Sequence, residues 1–442
     1  MTVATTAIEE KKMSRFHWRI VITAGVGFFT DAYELFIIGV VTAILGPIWH
    51  LSTLQLSFLN GASLAAAALG AVTFGSLSDL FGRKKLYGLE IAILFVGALL
   101  SCTAQSFAWL IFARVLVGFG IGGDYPSSAV VASEHSNPSS RGFLVLLVFA
   151  MQAVGLIFGS LFASVLLAAN IDHSMVWRIL LGFGMLPASG VFYLRRRIEE
   201  SPHYKRTKDI PVEVSRIVSD LAGVEDEVER LRYKKQSLRS PKWFKYLLGT
   251  AGAWFLMDVA LYGNGVSNVM ILKSLNPHES LLSHTVLSAF IFLLFAVPGY
   301  FLAAKYIDKI GRRNLQILGF VAISIAYLAI GMIPAVVNTM PLFVLIYGMS
   351  YFFINFGPNT TTFLIPSEIY PTAIRAKAHG ISAAVGKLGA FVGAFFLPIV
   401  LHSLGMHAVM TMMGVVSILG LFVTFLLPEM KQQDLSATEE MQ

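Results

Sequence analysis

The sequence is short of charge and nearly devoid of cysteine. Of its 442 residues 13% are charged and 56% are apolar, where a soluble chain runs about 25% and about 45–50%. That deficit excludes a water-soluble enzyme, a disordered chain and a fibrous protein. The single cysteine, Cys102, excludes a disulfide framework; within the apolar stretch 91–106 it reads as a small buried hydrophobe. Metal-ligand clusters and nucleophile–base pairs are also missing, so neither an enzyme nor a cofactor is expected. The run Gly118-Phe119-Gly120-Ile121-Gly122-Gly123 satisfies G-x-G-x-x-G, but no strand or βαβ unit surrounds it, so it holds no nucleotide. Glycines there thin a helix for close packing. A short signal-type apolar region with a cleavage site is lacking too. The first apolar run begins near Ile20 and is long enough to span a membrane.

What the chain has instead is long apolar runs. A spanning helix needs about 20 apolar residues, and twelve such runs are readable: 19–46, 54–77, 86–106, 108–132, 143–168, 176–195, 244–272, 281–304, 314–334, 340–365, 378–402 and 406–427. They are expected to be helices, because in lipid each segment must satisfy its own backbone hydrogen bonds. The expected organisation is a six-helix bundle over 1–195, a polar loop at 196–243 and a second bundle over 244–442. Within the loop, Val212–Lys235 carries apolar residues at helical spacing (Val214, Ile217, Val218, Leu221) between charges, which predicts an amphipathic helix on the membrane surface.

The net charge of +7 is positional. Counted alternately from the N-terminus, the polar connections on one side hold 29 of the 33 Lys and Arg residues. Positive residues mark the cytoplasmic face. Both termini and the central loop are therefore expected in the cytoplasm, and no nucleic-acid partner is needed to explain the charge.

The two halves repeat each other. Asp79-x-x-Gly82-Arg83 recurs as Asp308-x-x-Gly311-Arg312, Glu134-x₆-Arg141 as Glu368-x₆-Arg375, and Gly155-x-x-x-Gly159 as Gly389-x-x-x-Gly393. Three motifs at matching points make a duplicated unit in parallel register, for which substrate sites lie between the bundles near the midplane. The segment Gly75-Ser-Leu-Ser-Asp79-Leu-Phe-Gly82-Arg83-Lys84-Lys85, the Glu/Arg pairs and Glu200-Ser201-Pro202 resemble the loop motifs of the major facilitator superfamily. The resemblance implies an all-α membrane protein with twelve transmembrane helices in two pseudo-symmetric bundles. The motif residues Asp79, Arg83, Glu134, Arg141, Asp308, Arg312, Glu368 and Arg375 are expected to act in gating. Asp79 suits a helix N-terminus, and the Arg–Glu pairs can latch the halves together.

Ionisable groups inside a membrane are costly and mark function. Asp31, Glu34, Glu90, Arg114, Asp124, Asp258 and Lys387 fall within the apolar runs. Glu90, one turn from the basic cluster at 83–85, reads as a snorkelling structural group. Asp31 and Glu34 are three apart and share a helix face. Two such carboxylates do not both stay ionised easily in a low dielectric, as a proton carrier requires. Arg114 is expected to pair with a carboxylate of the first helix. Asp258 holds the corresponding place in the second half. Trp254, Asp258 and Tyr262 recur at i, i+4 and i+8. Asn359 lies in the proline-interrupted Asn355-Phe-Gly-Pro-Asn359, and Asn359-Thr360-Thr361 at membrane depth is no glycosylation site. Lys387, mid-run, is an anion-seeking group.

This constellation resembles the proton-coupled inorganic phosphate transporters of fungi and plants. The resemblance implies phosphate ligands at Asp31, Asp124, Tyr125, Gln152, Trp254, Asp258, Tyr262, Asn359 and Lys387, and proton coupling through Asp31, Glu34, Asp124 and Asp258. Glu34 departs from the family, which usually has Asp there. The implied protein is a multi-pass symporter of the plasma membrane, working as a monomer in the lipid bilayer on phosphate and protons. Carriers of an organic phosphate, an organic anion or a sugar share the motifs in part. A nutrient receptor of low transport rate would carry an enlarged cytoplasmic extension, which neither the loop nor the tails resemble.

Overall fold

The computed structural model describes residues 15–81, 88–134, 141–195 and 238–431, and the described residues are helical throughout apart from short turns. Arg83, Glu200-Ser201-Pro202 and the amphipathic segment Val212–Lys235 lie outside them, as do the side chains of Asp79, Glu134 and Arg141. The first half comprises α1 (Arg15–Ile48), α2 (Thr53–Phe81), α3 (Leu89–Cys102), α4 (Phe107–Glu134), α5 (Arg141–Ala168) and α6 (His173–Phe183 continuing as Met185–Arg195). In the second half, α7 is Pro241–Val266 bent by 59° into Asn268–Leu275. The next span, α8, is Leu281–Ile291 and Val297–Ile310 joined by a π-turn at Phe292–Ala296. Then come α9 (Arg312–Met332) and α10 (Met340–Phe356 and Pro358–Glu368). The last helix, Thr372–Thr424, breaks at Gly405, whose φ of +79° a side chain would strain, into α11 (372–404) and α12 (406–424).

Nine of these helices are long and apolar enough to cross a membrane, ten with the bent α7. The shorter Leu89–Cys102 and the division at Gly405 bring the described spans to the twelve expected. Four of the described spans are interrupted, α6, α7, α8 and α10. The turn Gly357-Pro358 splits α10 because proline has no N–H to continue the ladder. Breaks of this kind expose backbone only where a cavity or the protein itself receives it.

Glycines set the closest approaches, and they do so alike in both halves. A Cβ on Gly155 of α5 would lie 2.4 Å from the Phe29 carbonyl of α1, and one on Gly389 of α11 would lie 2.2 Å from the Phe255 carbonyl of α7. The repeated G-x-x-x-G thus builds the same contact twice. Along α4, Gly118 and Gly122 meet the backbone of α2 at Ser63 and Ala67, while Gly120 meets α3. This is the close packing expected of the glycine run.

Between the halves, α2 packs on α11, α5 on α8 and α1 on α7. The surface turned to lipid is apolar, with Leu69, Phe112, Val165, Ile325 and Phe422 each more than half exposed. Cys102, read as buried, is half-buried at the end of α3, where its carbonyl accepts from Arg178 at 2.8 Å.

Candidate functional site

All nine implied ligands are buried, each 3% exposed or less; those around Lys387 gather where the halves meet, whereas Asp124 turns to Arg195 within the first half. Lys387 of α11 donates to the Tyr262 hydroxyl at 2.8 Å and lies 3.5 Å from the Asp258 carboxylate. Its ammonium also sits 4.3 Å from the ring centroids of both Tyr125 and Tyr262, so aromatic rings from opposite halves lie within cation–π range of it. The Tyr125 and Tyr262 hydroxyls are 3.3 Å apart, and Gln152 donates to Tyr125 at 3.0 Å. From Gln152 the chain continues into the second half. Tyr300 donates to its carbonyl at 3.3 Å, and Asn359 donates to Tyr300 at 2.7 Å and to Asn355 at 2.8 Å. One network of neutral donors therefore runs from α11 through α4 and α5 to α8 and α10. Asn359 takes part because the Gly357-Pro358 break places it at the start of a new helical segment. The indole of Trp254 occupies the space Gly386 leaves open.

Tyr300 and Asn355 were not among the expected ligands. Tyr300 follows the π-turn of α8, a local irregularity common at functional sites. Asn355 lies one helical turn before Asn359, on the other side of the break.

Aromatic layers close the site. Phe28, Phe149 and Phe363 pack with ring centroids 4.5–5.5 Å apart on the side where α1 begins. On the other side Phe36 stacks on Tyr262 at 5.1 Å and fills the place of a side chain at Gly265.

The acidic residues of the first half fall into two groups, which alters two expectations. Glu34 does not share its surroundings with Asp31. Its carboxylate takes a 2.6 Å bond from Arg114, which also donates to the Glu34 carbonyl at 2.6 Å, and it packs against Gly184 in the break of α6. The pairing of Arg114 with the first helix is as expected, and the longer arm of Glu34 is accommodated by a glycine. Asp31, by contrast, has no hydrogen-bond partner on either carboxylate oxygen and lies within electrostatic range of Asp124, Arg195, Glu90 and Lys387. Glu90 does not snorkel: it is fully buried and accepts from Arg195 at 3.0 Å. The same guanidinium reaches Asp124 at 2.6 Å. Arg195 was hidden in the sequence by Arg196 and Arg197, which made it look like part of a basic flank.

The Glu34–Arg114 pair predicts a stability effect. Arg114→Met should cost about 3–5 kcal/mol by leaving a buried carboxylate uncompensated. The double variant with Glu34→Met should recover most of that loss. Thermal unfolding of the purified variants checks both.

At the ends of the second-half helices, Arg312 binds Asp308 at 2.7 Å and Glu368 at 2.8 Å. All three residues belong to the second half, so this cluster ties α8, α9 and α10 together and does not latch one half to the other. Asp308 pairs with Arg312; the carboxylate at the α9 N-terminus is Glu429, which accepts from the backbone N–H groups of Arg312 and Asn314. Arg375 donates to the Tyr370 carbonyl at 2.8 Å.

A model of the family described as sugar (and other) transporter matches residues 4–441. Among curated relatives, the probable inorganic phosphate transporter 1-6 of Arabidopsis thaliana is 33% identical over 96% of this chain and 93% of its own length. The low affinity inorganic phosphate transporter 1 of Petunia hybrida is 34% identical over 97% and 94%. Among solved structures, the major facilitator proton:xylose symporter XylE bound to a bromodeoxyglucose superposes with a TM-score of 0.78 at 19% identity, covering 96% of this chain and 98% of that one. The partially occluded, inward open form of the E. coli xylose transporter gives 0.74 at 18% identity, covering 95% and 100%.

Proposed function

The chain belongs to the sugar (and other) transporter family of the major facilitator superfamily, and from that premise we propose that it imports inorganic phosphate together with protons. It is a multi-pass membrane transporter and not an enzyme. The observation that carries the phosphate reading is the Lys387 site. A buried ammonium is a liability in a pocket for a neutral sugar, but it is the fixed counter-charge an anion needs. Around it Tyr125, Gln152, Trp254, Tyr262 and Asn359 offer neutral donors for several oxygens of one anion, and Tyr300 extends the set. Asp258 is the ion-pair partner from which the anion takes Lys387 over.

Proton coupling follows from energetics. Importing an anion against an inside-negative potential costs about 2.3 kcal/mol per charge per 100 mV. The cotransported charge must therefore exceed that of the anion. Asp31, Glu34, Asp124 and Asp258 are the proton acceptors in this reading, with Asp31 foremost because it has no partner to give up. The halves rock about the site, opening the aromatic layers in turn. The gating roles of Asp79, Arg83, Glu134, Arg141, Asp308, Arg312, Glu368 and Arg375 belong to this cycle, those of the Arg312 cluster by keeping the second half rigid.

The remainder of the reading is a monomer in the plasma membrane with both termini in the cytoplasm, and bundles at 1–195 and 244–442 joined by the loop 196–243. Thermal unfolding with added ligands tests the substrate class. Phosphate should raise the midpoint, since a ligand at about 100 times its Kd stabilises by about 2.7 kcal/mol, and xylose should leave it unchanged. A shift with xylose and none with phosphate would turn the assignment to sugar; a shift with glycerol 3-phosphate alone would turn it to organic phosphates.

A further inference from the structure

Beside the aromatic layer on the side where α1 begins, the second half buries a histidine with no part in the site described above. His379 of α11 is 2% exposed and stands two turns before Lys387, about 12 Å along the helix axis. Its Nε2 lies 3.2 Å from the Phe363 carbonyl of α10. A carbonyl only accepts, so Nε2 carries the proton and donates it. Nδ1 is then a buried lone pair, and it has no hydrogen-bond partner.

The imidazole completes a triad of rings. His379 lies 5.4 Å from Phe363 and 5.6 Å from Trp254, at interplanar angles of 87° and 86°. Trp254 and Phe363 are 6.1 Å apart at 81°. Each ring meets the other two edge to face, an arrangement that aromatic quadrupoles prefer. Trp254 is an implied ligand, and Phe363 is the second half's part of the aromatic layer. From the first half Phe149 stacks on it at 4.5 Å and Phe28 meets it edge-on at 5.5 Å. His379 alone adds a bond to the backbone, which ties α11 to α10 at Phe363. The segment of α10 it holds contains Pro366, which has no N–H for the ladder and loosens the turn there. A ring without nitrogens would pack the same way and leave no buried atom unpaired, so packing alone does not account for a histidine.

We propose that His379 is a positioning residue, the latch that holds Phe363 and the Trp254 indole in the closed arrangement over the anion. The inference rests on the phosphate reading above and names what keeps the anion enclosed. In this role the imidazole does not touch the anion. Its bond to the Phe363 carbonyl fixes α10 against α11, and Phe363 so fixed keeps its contacts with Phe28 and Phe149 across the halves. Without the bond Phe363 is free to leave the layer while α11 stays in place. The closed state then loses population, and the anion is held for a shorter time.

The test is the rate at which labelled phosphate leaves the purified full chain after dilution. His379→Phe keeps a ring and removes the bond. One hydrogen bond corresponds to about a two- to tenfold change in an equilibrium, so release should quicken by about that factor while association is unchanged. His379→Gln keeps a donor and should release phosphate close to the wild-type rate. In a Phe149→Leu background the layer is already broken, and His379→Phe should add nothing further. A histidine that only supports folding would lower the unfolding midpoint and leave release unchanged. Should His379→Phe not fold, His379→Leu takes its place, with the same expected gain. Wild-type release by the folded variant, a His379→Gln protein no slower than His379→Phe, or effects that multiply in the Phe149→Leu background overturn the proposal. If the wild type holds no phosphate, the phosphate reading fails first, so the two failures are distinguishable. The same comparison then runs with whichever of glycerol 3-phosphate and xylose shifts the unfolding midpoint.

Discussion

Lys387→Gln should yield a folded, monodisperse protein that binds phosphate at least about tenfold more weakly, since a hydrogen bond to a charged group contributes about 1.5–3 kcal/mol. The structure makes this the informative substitution. Glutamine keeps a donor, on an arm one atom shorter, and loses the charge. The pair that Lys387 makes with Asp258 is loose, at 3.5 Å, whereas Arg114 holds Glu34 at 2.6 Å. A tight buried pair locks two helices; a loose one leaves its cation free to exchange partners. The Lys387 ammonium is retained chiefly by the Tyr262 hydroxyl and two tyrosine rings, contacts that an anion displacing Asp258 need not break. Isothermal titration of phosphate into wild type and variant reads the change. Near-native binding by a well-folded variant would remove the basis for preferring an anion over a neutral substrate.

Asp31→Asn should separate exchange from accumulation. The amide mimics a permanently protonated acid, and the wild-type carboxylate has no hydrogen-bond partner to lose, so folding and anion binding should be kept. Phosphate counterflow between equal pools should persist. The gradient that a pH difference sustains should drop at least about tenfold, one proton being worth a factor of ten per pH unit. Unchanged accumulation would mean that Asp31 is not a coupling group. Loss of counterflow with accumulation would mean that it binds substrate only.

The periodicity of apolar runs made the architecture legible, and the duplicated motifs announced its two halves. Even the division of the last helix at 403–405 was readable, because Gly405 interrupts an apolar run otherwise long enough for two spans. Part of the candidate site was legible for a simpler reason. A charge inside a membrane-spanning run is conspicuous, as Lys387, Asp31, Asp124 and Asp258 are. Residues whose character matches their surroundings stayed hidden. Tyr300 is one aromatic among many, and only the three-dimensional path from Gln152 to Asn359 singles it out. Arg195 opens a basic stretch that topology alone explains, so its burial against Glu90 had no counterpart in the local sequence. The same local logic misassigned Glu90, whose nearest lysines in sequence are not its partner in space. Helix angle explains the separation of Asp31 from Glu34. Three residues advance a helix by 300°, enough for neighbours on one face to turn toward different helices.

The most direct measurement is accumulation of labelled phosphate by proteoliposomes holding the purified full chain, with an acidic exterior, a neutral interior and the membrane potential clamped at zero. The expected result is uptake that overshoots the external concentration, grows as the exterior is made more acidic, and collapses when a protonophore is added. Phosphate that merely equilibrates, or that enters equally well without the proton gradient, would contradict coupled import through this site.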